Sequence, residues 1–144
     1  MEIYTIGFTK KTAQDFFERL RETGVRKLID VRINNTSQLA GFTRRDDLQY
    51  FLKSILGIAY IHEARLAPTP ELLRSYRHKQ IGWNEYERHF IDLLSNRRVE
   101  EEFPREFFDN SVLLCSEATA DRCHRRLVVE YLSKHWTDIR AVHL

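Results

Sequence analysis

Two kinds of apolar pattern alternate along this chain, and the alternation limits the fold more than any other feature of the sequence. Short runs rich in β-branched and aromatic residues are followed by longer stretches with apolar residues every three or four positions. The short runs predict strands, and the longer stretches predict amphipathic helices. The predicted strands cover residues 3–6, 25–31, 58–61, 112–115 and 139–144. The sequence therefore predicts a three-layer α/β fold whose mostly parallel sheet has about five strands.

Helical stretches follow the first, second and fourth predicted strands. Their apolar faces are Ala13, Phe16, Phe17 and Leu20; Leu48, Phe51, Leu52 and Ile55; and Leu127, Val128, Tyr131 and Leu132. A different segment, residues 68–108, begins with Pro68 and Pro70 and continues into an aromatic stripe at Trp83 and Tyr86. Proline is favoured in the first turn of a helix. We therefore expect a helical insertion over residues 68–108, packed on the sheet of a single domain that spans residues 1–144.

Composition narrows the class of protein. The 144 residues, 42% of them apolar, suffice for one hydrophobic core. The net charge of +2 and the pI of 8.6 fall short of the basic domain, with a pI above about 9, that is typical of nucleic-acid binding. These numbers indicate one globular domain and do not mark a nucleic-acid binder, and they leave the oligomeric state open.

The location of the protein is predicted from three sequence features. The longest apolar stretch, residues 55–61, is far shorter than the roughly 18 residues of a membrane span. The first four residues carry no basic leader. Only Cys115 and Cys123 are present, too few for a disulfide scaffold. We expect an unprocessed, soluble, cytoplasmic protein with free thiols and no membrane partner.

Polar motifs stand at the ends of three predicted strands. They are residues 7–9 after the first, residues 30–32 after the second, and residues 115–117 after the fourth, continued by residues 121–125. Ligands of open α/β sheets bind outside the carboxyl ends of the strands. We therefore expect these motifs to converge on one cleft.

Two arginines in these motifs favour an anionic ligand. Arg32 follows the second strand, and Arg125 lies in the first turn of a predicted helix. A guanidinium is a planar fork of donors, and the free amides of a helix N-terminus also attract anions. In the alternative interpretation Arg32 pairs with Asp30 or Glu117 and only fastens the strand ends.

Cys115, Glu117 and His124 are the candidate catalytic residues. Cys115 ends a strand ahead of a helix N-terminus, where the dipole and nearby arginines lower a thiol pKa, so it is a candidate nucleophile. His124 shares a helical face with apolar residues and is expected to point inward as a base or a hydrogen-bond donor. Glu117 could instead pair with Asp30 for acid–base work. The alternative for Cys115 is a buried cysteine that serves only packing.

The same segment raises the question of a metal. Cys115, Cys123 and His124 are possible zinc ligands, but adjacent Cys and His side chains are expected to diverge on a helix, and paired CxxC spacings are absent. We therefore predict no metal site, and the sequence specifies no cofactor.

The motifs over residues 5–9, 28–32, 113–117 and 122–126, in this order, resemble domain-of-unknown-function family 488. Many members follow the Asp-Val-Arg motif with Pro and then Ser-Arg, where this chain has Asn35 and Ser37-Gln38. The resemblance implies one small α/β domain with its site at these motifs, and it assigns no reaction. With the arguments above, the predicted substrate-binding residues are Gly7, Thr9, Asp30, Arg32, Ser37, Ser116 and Arg125.

A weaker resemblance is to rhodanese-like domains, in which a strand carrying Asp-Val-Arg precedes a catalytic Cys in a loop closed by Arg. Six residues separate Cys115 from Arg122 here, one more than such loops carry, and none of residues 116–121 is Gly. Without Gly the backbone amides are less able to wrap an oxyanion. The sequence therefore disfavours sulfur or phosphate transfer through a rhodanese-type loop.

Two functions follow from these patterns. The first is an enzyme, a transferase or hydrolase, that acts on a small anionic molecule such as a nucleotide derivative. The second is a module without catalysis that binds nucleic acid or a protein, and it rests on the basic residues within 43–45, 74–79 and 97–98.

Overall fold

Strands and helices alternate along most of the chain, with three consecutive helices between the third and fourth strands. The computed structural model describes residues 1–36, 41–117 and 119–144. The elements are β1 (Glu2–Gly7), α1 (Ala13–Thr23), β2 (Lys27–Asp30), α2 (Arg45–Phe51), β3 (Ala59–His62), α3 (Pro70–Arg77), α4 (Trp83–Asn96), α5 (Val99–Glu102), β4 (Ser111–Cys115), α6 (His124–His135) and β5 (Arg140–His143). A π-helical turn, Leu52–Leu56, extends α2. The predicted α/β class is confirmed, and α3, α4 and α5 lie within the predicted insertion.

The five strands form one sheet in the order β3-β2-β4-β1-β5, with every neighbouring pair parallel. The central strand β4 aligns Cys115 with Gly7 of β1 and Leu114 with Asp30 of β2. The motifs predicted at the ends of β1, β2 and β4 therefore start from one edge of the sheet.

The sheet is covered on both faces, because alternate residues of each strand enter different cores. In β4, Val112 and Leu114 join the core formed with α1 and α2, whereas Leu113 and Cys115 join the core formed with α4 and α6. Side chains of a strand alternate between its two faces, so this division follows from the period of two. Cys115 thereby faces α6, the helix that follows it.

The connections place a crevice at the end of β4. The chain leaves β1 and β2 towards α1 and α2 on one face, and it leaves β4 towards α6 on the opposite face. Where neighbouring strands send their connections to opposite faces, the loops separate and a ligand can enter. The crevice lies beside residues 115–117 and 30–32.

The ends of α1 and the start of α3 follow local sequence rules. Thr12 caps α1 through a hydrogen bond from the Asp15 amide, and Gly24 ends that helix in the left-handed conformation at φ 70°. Thr69 caps α3, whose first residue is Pro70. None of the described helices combines the length and apolar character needed to cross a membrane.

Candidate functional site

A pocket of about 510 Å³ opens at the carboxyl ends of β2 and β4. Half of the predicted site residues line it: Arg32, Cys115, Ser116, Glu117 and His124. The structure thus brings the motif after β2 and the motif after β4 into one concave surface, as the strand-end rule predicts.

Cys115 and His124 form the chemical centre of this pocket. The Cys115 Sγ lies 3.5 Å from His124 Nδ1 and 3.7 Å from Nε2. The His124 Nε2 also lies 2.7 Å from the carbonyl oxygen of Val31. A carbonyl can only accept, so Nε2 carries the hydrogen and the neutral ring has its lone pair on Nδ1. His124 is 6% exposed and points inward, as expected from its helical face.

The sulfur is nearly equidistant from both ring nitrogens, so it lies off the axis of the Nδ1 lone pair. Before a proton can pass from Cys115 to His124, the ring or the Cys115 side chain must rotate until the Nδ1 lone pair points at the sulfur. Catalytic hydrogen bonds are often poorly aligned before substrate binds. The pair is thus within reach of proton transfer without being aligned for it in the free protein.

Cys123 is a second thiol beside this pair. The Cys123 thiol donates a hydrogen bond to the Cys115 sulfur and lowers the pKa of Cys115, while burial acts in the opposite direction. Smaller contributions to the lowered pKa come from the Ser116 amide and from the charge of Arg125. Burial raises the pKa of Cys123 well above its ordinary value, and the hydrogen bond to Cys115 raises it further. The two thiols therefore differ, with Cys115 favoured as thiolate and Cys123 as protonated donor.

The expectation that Cys123 and His124 diverge is wrong. The ligand atoms of Cys115, Cys123 and His124 all lie within 4.8 Å of one another. Cys123 is the residue before α6 and has an extended backbone, φ −136° and ψ 140°, whereas His124 is the first helical residue. Neighbouring side chains diverge inside a helix, but the change of backbone conformation between these two turns both inward.

Asp30 and Arg32 are bound to each other behind the pocket wall. Arg32 donates from Nε to Oδ1 and from Nη2 to Oδ2 of Asp30, each at 2.8 Å, and from Nη2 to the Thr43 carbonyl at 2.7 Å. Tyr60 and Asn35 also donate to Oδ2 of Asp30. Burial and the Asp30 charge raise the pKa of Tyr60, so its hydroxyl remains a donor. The sequence allowed Arg32 to pair with Asp30 or with Glu117, and in the structure it pairs with Asp30.

This network determines what each residue can do at the site. Asp30 is fully buried and is not among the pocket-lining residues, so it does not form a carboxylate pair with Glu117, which is exposed at the pocket. Arg32 lines the pocket, and its buried Nη1 has no hydrogen-bond partner among the described residues. Arg32 therefore retains a donor that the Asp30 pair does not use.

Arg125 lies behind the pocket and supports its floor. The side chain is fully buried and donates from Nη1 to the Glu117 carbonyl at 2.7 Å and from Nε to Thr5 Oγ1 at 3.3 Å. Among the described residues it is absent from the pocket lining, so the structure does not bring Arg125 and Arg32 together around one ligand position. Arg125 instead fixes the backbone of the loop after β4.

Gly7 and Thr9 act on the same loop. The Glu117 carbonyl packs against Gly7, where a side chain would not fit. Thr9 donates to the Ser116 carbonyl from its amide at 3.0 Å and from its hydroxyl at 2.6 Å. Both residues position residues 116 and 117 rather than the ligand. Ser37, the remaining predicted binding residue, lies outside the described residues.

Part of the pocket wall comes from the insertion, where the sequence indicated Tyr76 alone as a residue that could line the cleft. The contributing residues are Pro68, Leu73, Tyr76, Arg77, Trp83 and Tyr86. Trp83 and Tyr86 stack with ring centroids 5.3 Å apart, and Tyr76 lies 4.9 Å from Tyr86. The signal was the aromatic stripe at Trp83 and Tyr86, but a helical period does not say whether the stripe covers the sheet or lines a cleft.

The fold is that of a three-layer α/β protein, and a cysteine–histidine pair lines a pocket at the carboxyl ends of its parallel strands. The chain belongs to the family described as domain of unknown function DUF488, whose family model matches residues 12–132. The match includes the motifs of β2, β4 and α6, whereas residues 5–9 lie before it. No curated protein and no solved structure matches the chain.

Proposed function

We propose that the protein is an enzyme, a transferase or hydrolase, that uses the Cys115 thiol as nucleophile on a small anionic substrate. One observation carries the proposal: Cys115 Sγ lies 3.5 Å from His124 Nδ1 at the wall of a pocket of about 510 Å³. A thiol within reach of an imidazole base, in a concave site, is the arrangement that nucleophilic catalysis needs.

Val31 supports the role of His124 as the base. The Val31 carbonyl accepts from His124 Nε2 at 2.7 Å, which leaves Nδ1 as the basic nitrogen on the side of Cys115. The same carbonyl stabilises the imidazolium after Nδ1 takes a proton, because both ring nitrogens are then donors. In a site of this kind a third group orients the base, and here that group is the Val31 carbonyl.

The charges at the pocket favour an anion. Arg77, Arg122 and Glu117 line the pocket with exposed side chains, whereas the Arg32 charge is balanced by Asp30. Two arginines against one carboxylate leave an excess of one positive charge. Neither Arg77 nor Arg122 forms an ion pair among the residues that the structure describes. A phosphate or carboxylate can therefore be bound by a planar fork that no protein carboxylate already occupies.

The aromatic wall favours a substrate with a flat group beside its charge. Tyr76 and Trp83 are partly exposed at the pocket, and Tyr86 packs behind them. Aromatic faces bind planar rings by stacking. Together with the arginines they fit a nucleotide derivative, the substrate class expected from the sequence.

The reaction can be written with the residues of the chain. His124 Nδ1 takes the thiol proton of Cys115, and the sulfur bonds to an electrophilic carbon or phosphorus atom of the substrate. The bond to the leaving group breaks, and the leaving group takes the proton back from His124. Water, in a hydrolase, or a second substrate, in a transferase, then attacks the adduct and returns the thiol.

Acetyl phosphate, a small anionic donor of acyl and phosphoryl groups, tests the nucleophile directly. After incubation, mass spectrometry should find an acetyl or phosphoryl group on the peptide that contains Cys115, and none on that position in Cys115→Ser. His124→Asn should slow adduct formation at least about 100-fold, as expected for loss of a general base. An unmodified Cys115, or modification that is equally fast without His124, contradicts the proposal.

The predicted binding module for nucleic acid is the competing function. Arg97, one of the basic residues behind that prediction, is occupied by the fold, because it donates to the carbonyls of Arg65 at 2.8 Å and Ala67 at 2.6 Å. A gel shift with single- and double-stranded DNA and RNA at low salt separates the two functions. Binding that weakens steeply with added salt supports the module, and no shift supports the enzyme.

A further inference from the structure

The cluster of Cys115, Cys123 and His124 has the composition of a metal site. All three residues are buried, with exposures of 5%, 3% and 6%, and their ligand atoms lie within 4.8 Å of one another. Thiolate and imidazole are the ligands that Zn²⁺ prefers in proteins. Three ligands of this kind on one side of a pocket leave a fourth tetrahedral position for water or substrate.

The distances are close to those of a tetrahedral zinc site. Bond lengths of about 2.3 Å to sulfur and about 2.0 Å to nitrogen place sulfur and nitrogen ligands about 3.5 Å apart and two sulfurs about 3.8 Å apart. Cys115 Sγ and His124 Nδ1 are 3.5 Å apart, which is the required distance. The sulfur is also 3.7 Å from Nε2, so the ring or the Cys115 side chain must rotate to bring the Nδ1 lone pair and the sulfur onto one ion. The largest separation in the cluster, 4.8 Å at most, needs to shorten by about 1 Å. The pairs other than Cys115–His124 both include Cys123, so the movement required is a rotation of the Cys123 side chain, whose backbone lies outside the helix.

A partner for the histidine is also in place. A histidine that binds a metal usually donates its other ring N–H to a carbonyl or a carboxylate, which fixes the ring and the tautomer. His124 Nε2 is held by the Val31 carbonyl at 2.7 Å, so Nδ1 is the nitrogen available to a metal. Nδ1 is also the nitrogen nearer to the Cys115 sulfur.

We propose that Cys115, Cys123 and His124 bind one Zn²⁺ ion, with the fourth position open to the pocket, and that this ion holds Cys115 in an unreactive state. The zinc site stands on the geometry of the three residues alone. Its inhibitory effect rests on the proposed function, in which Cys115 is the nucleophile. A sulfur lone pair that binds zinc cannot attack a substrate. No bond of a substrate is made or broken in this step: the ion displaces the thiol protons to solvent and is released by a chelator.

The test is a Zn²⁺ titration of the full chain after treatment with a chelator, against a chromophoric competitor. The expected result is one tightly bound Zn²⁺ per chain, with affinity at least about 100-fold weaker in Cys123→Ser and His124→Asn. His89→Asn is the matched control, because His89 is exposed on α4, pairs with Glu85 and lies outside the cluster. Binding that is unchanged in Cys123→Ser, or lost equally in His89→Asn, overturns the zinc site.

Two further measurements keep the test decisive if a variant fails to fold. Co²⁺ added to the unmodified protein should give the intense thiolate-to-metal charge-transfer absorption, and its absence overturns the site. Zn²⁺ should also suppress alkylation of Cys115 by iodoacetamide, and a chelator should restore it. Metal binding without such suppression refutes the inhibitory role. If Cys115 is inert without metal but Zn²⁺ still binds, the proposed function fails and the zinc site stands.

Discussion

The carbonyl oxygen of Glu117 occupies the space that a side chain at position 7 needs: a Cβ built on Gly7 lies 1.5 Å from that oxygen. The carbonyl is held there by Arg125, which donates to it at 2.7 Å. The end of β1 and the loop after β4 are therefore fitted to each other through backbone atoms. This contact determines where residues 116 and 117 stand at the pocket.

Gly7→Ala should destabilise the protein and disturb the site together. The methyl group must displace the Glu117 backbone, and overpacking of this kind costs up to about 3 kcal/mol in the free energy of unfolding. Urea unfolding measures the loss. Gly82→Ala is the control, since a Cβ there meets nothing within 4 Å, and it should cost about 1 kcal/mol or less as a cap substitution. Equal effects at both positions contradict the account of Gly7.

The buried pair of Arg32 and Asp30 can be compared with an exposed pair of the same chemistry. Arg32→Gln removes the guanidinium and leaves the buried Asp30 carboxylate with neutral donors, namely Tyr60, Asn35 and the backbone amide of residue 32. It should cost about 3 kcal/mol of unfolding free energy. Arg19→Gln removes the partner of Asp15 from a pair whose side chains are 46% and 43% exposed, and it should cost less than about 1 kcal/mol. A loss from Arg32→Gln as small as that from Arg19→Gln would show that the network is not structural.

The two exposed arginines at the pocket, Arg77 and Arg122, should favour an anionic alkylating reagent over a neutral one. The quantity compared is the rate of Cys115 alkylation by anionic iodoacetate divided by the rate with neutral iodoacetamide. This ratio should be higher in the folded protein than in the urea-unfolded chain. The double variant Arg77→Ala/Arg122→Ala should reduce this ratio several-fold, because it removes the charges that attract the anion. Arg74→Ala is the control, since Arg74 lies on the same helix as Arg77 and outside the pocket lining. A ratio equal to that of the unfolded chain would argue against an anion site.

The aromatic wall should distinguish a nucleotide from inorganic phosphate. Adenosine monophosphate should protect Cys115 from iodoacetamide at lower concentration than phosphate does, because its base stacks on Trp83 and Tyr76. Trp83→Ala should reduce the ratio of the two protecting concentrations about fivefold, for loss of about 1 kcal/mol of stacking. Tyr50→Ala, at a side chain 66% exposed and outside the pocket lining, should leave the difference unchanged. Equal protection by both ligands in the unmodified protein removes the flat group from the proposed substrate.

Local patterns in the sequence predict the fold, and the fold in turn predicts that the motif after β2 and the motif after β4 lie at one edge of the sheet. Strand and helix periods are local, and parallel strands end at one edge, so Arg32 and Cys115 were expected at the same edge of the sheet. The strand order that makes β2 and β4 direct neighbours came from the structure. The alternatives at Arg32 could not be decided, because both Asp30 and Glu117 were within reach and only distances choose between them. The turn at Cys123 escaped prediction because it depends on the residue at which α6 begins. The aromatic wall from Trp83 escaped prediction because it depends on how segments distant in sequence meet.

The reactivity of Cys115 across pH tests the central claim most directly. In chelator-treated protein, the rate of its alkylation by iodoacetamide should rise with an apparent pKa below the value of about 8.5 for a free thiol. The hydrogen bond from Cys123 lowers this pKa, so the thiolate persists to lower pH, and Cys123→Ala should move the profile to higher pH. A profile for the unmodified protein centred at or above that of a free thiol, and unmoved by Cys123→Ala, would contradict an activated Cys115.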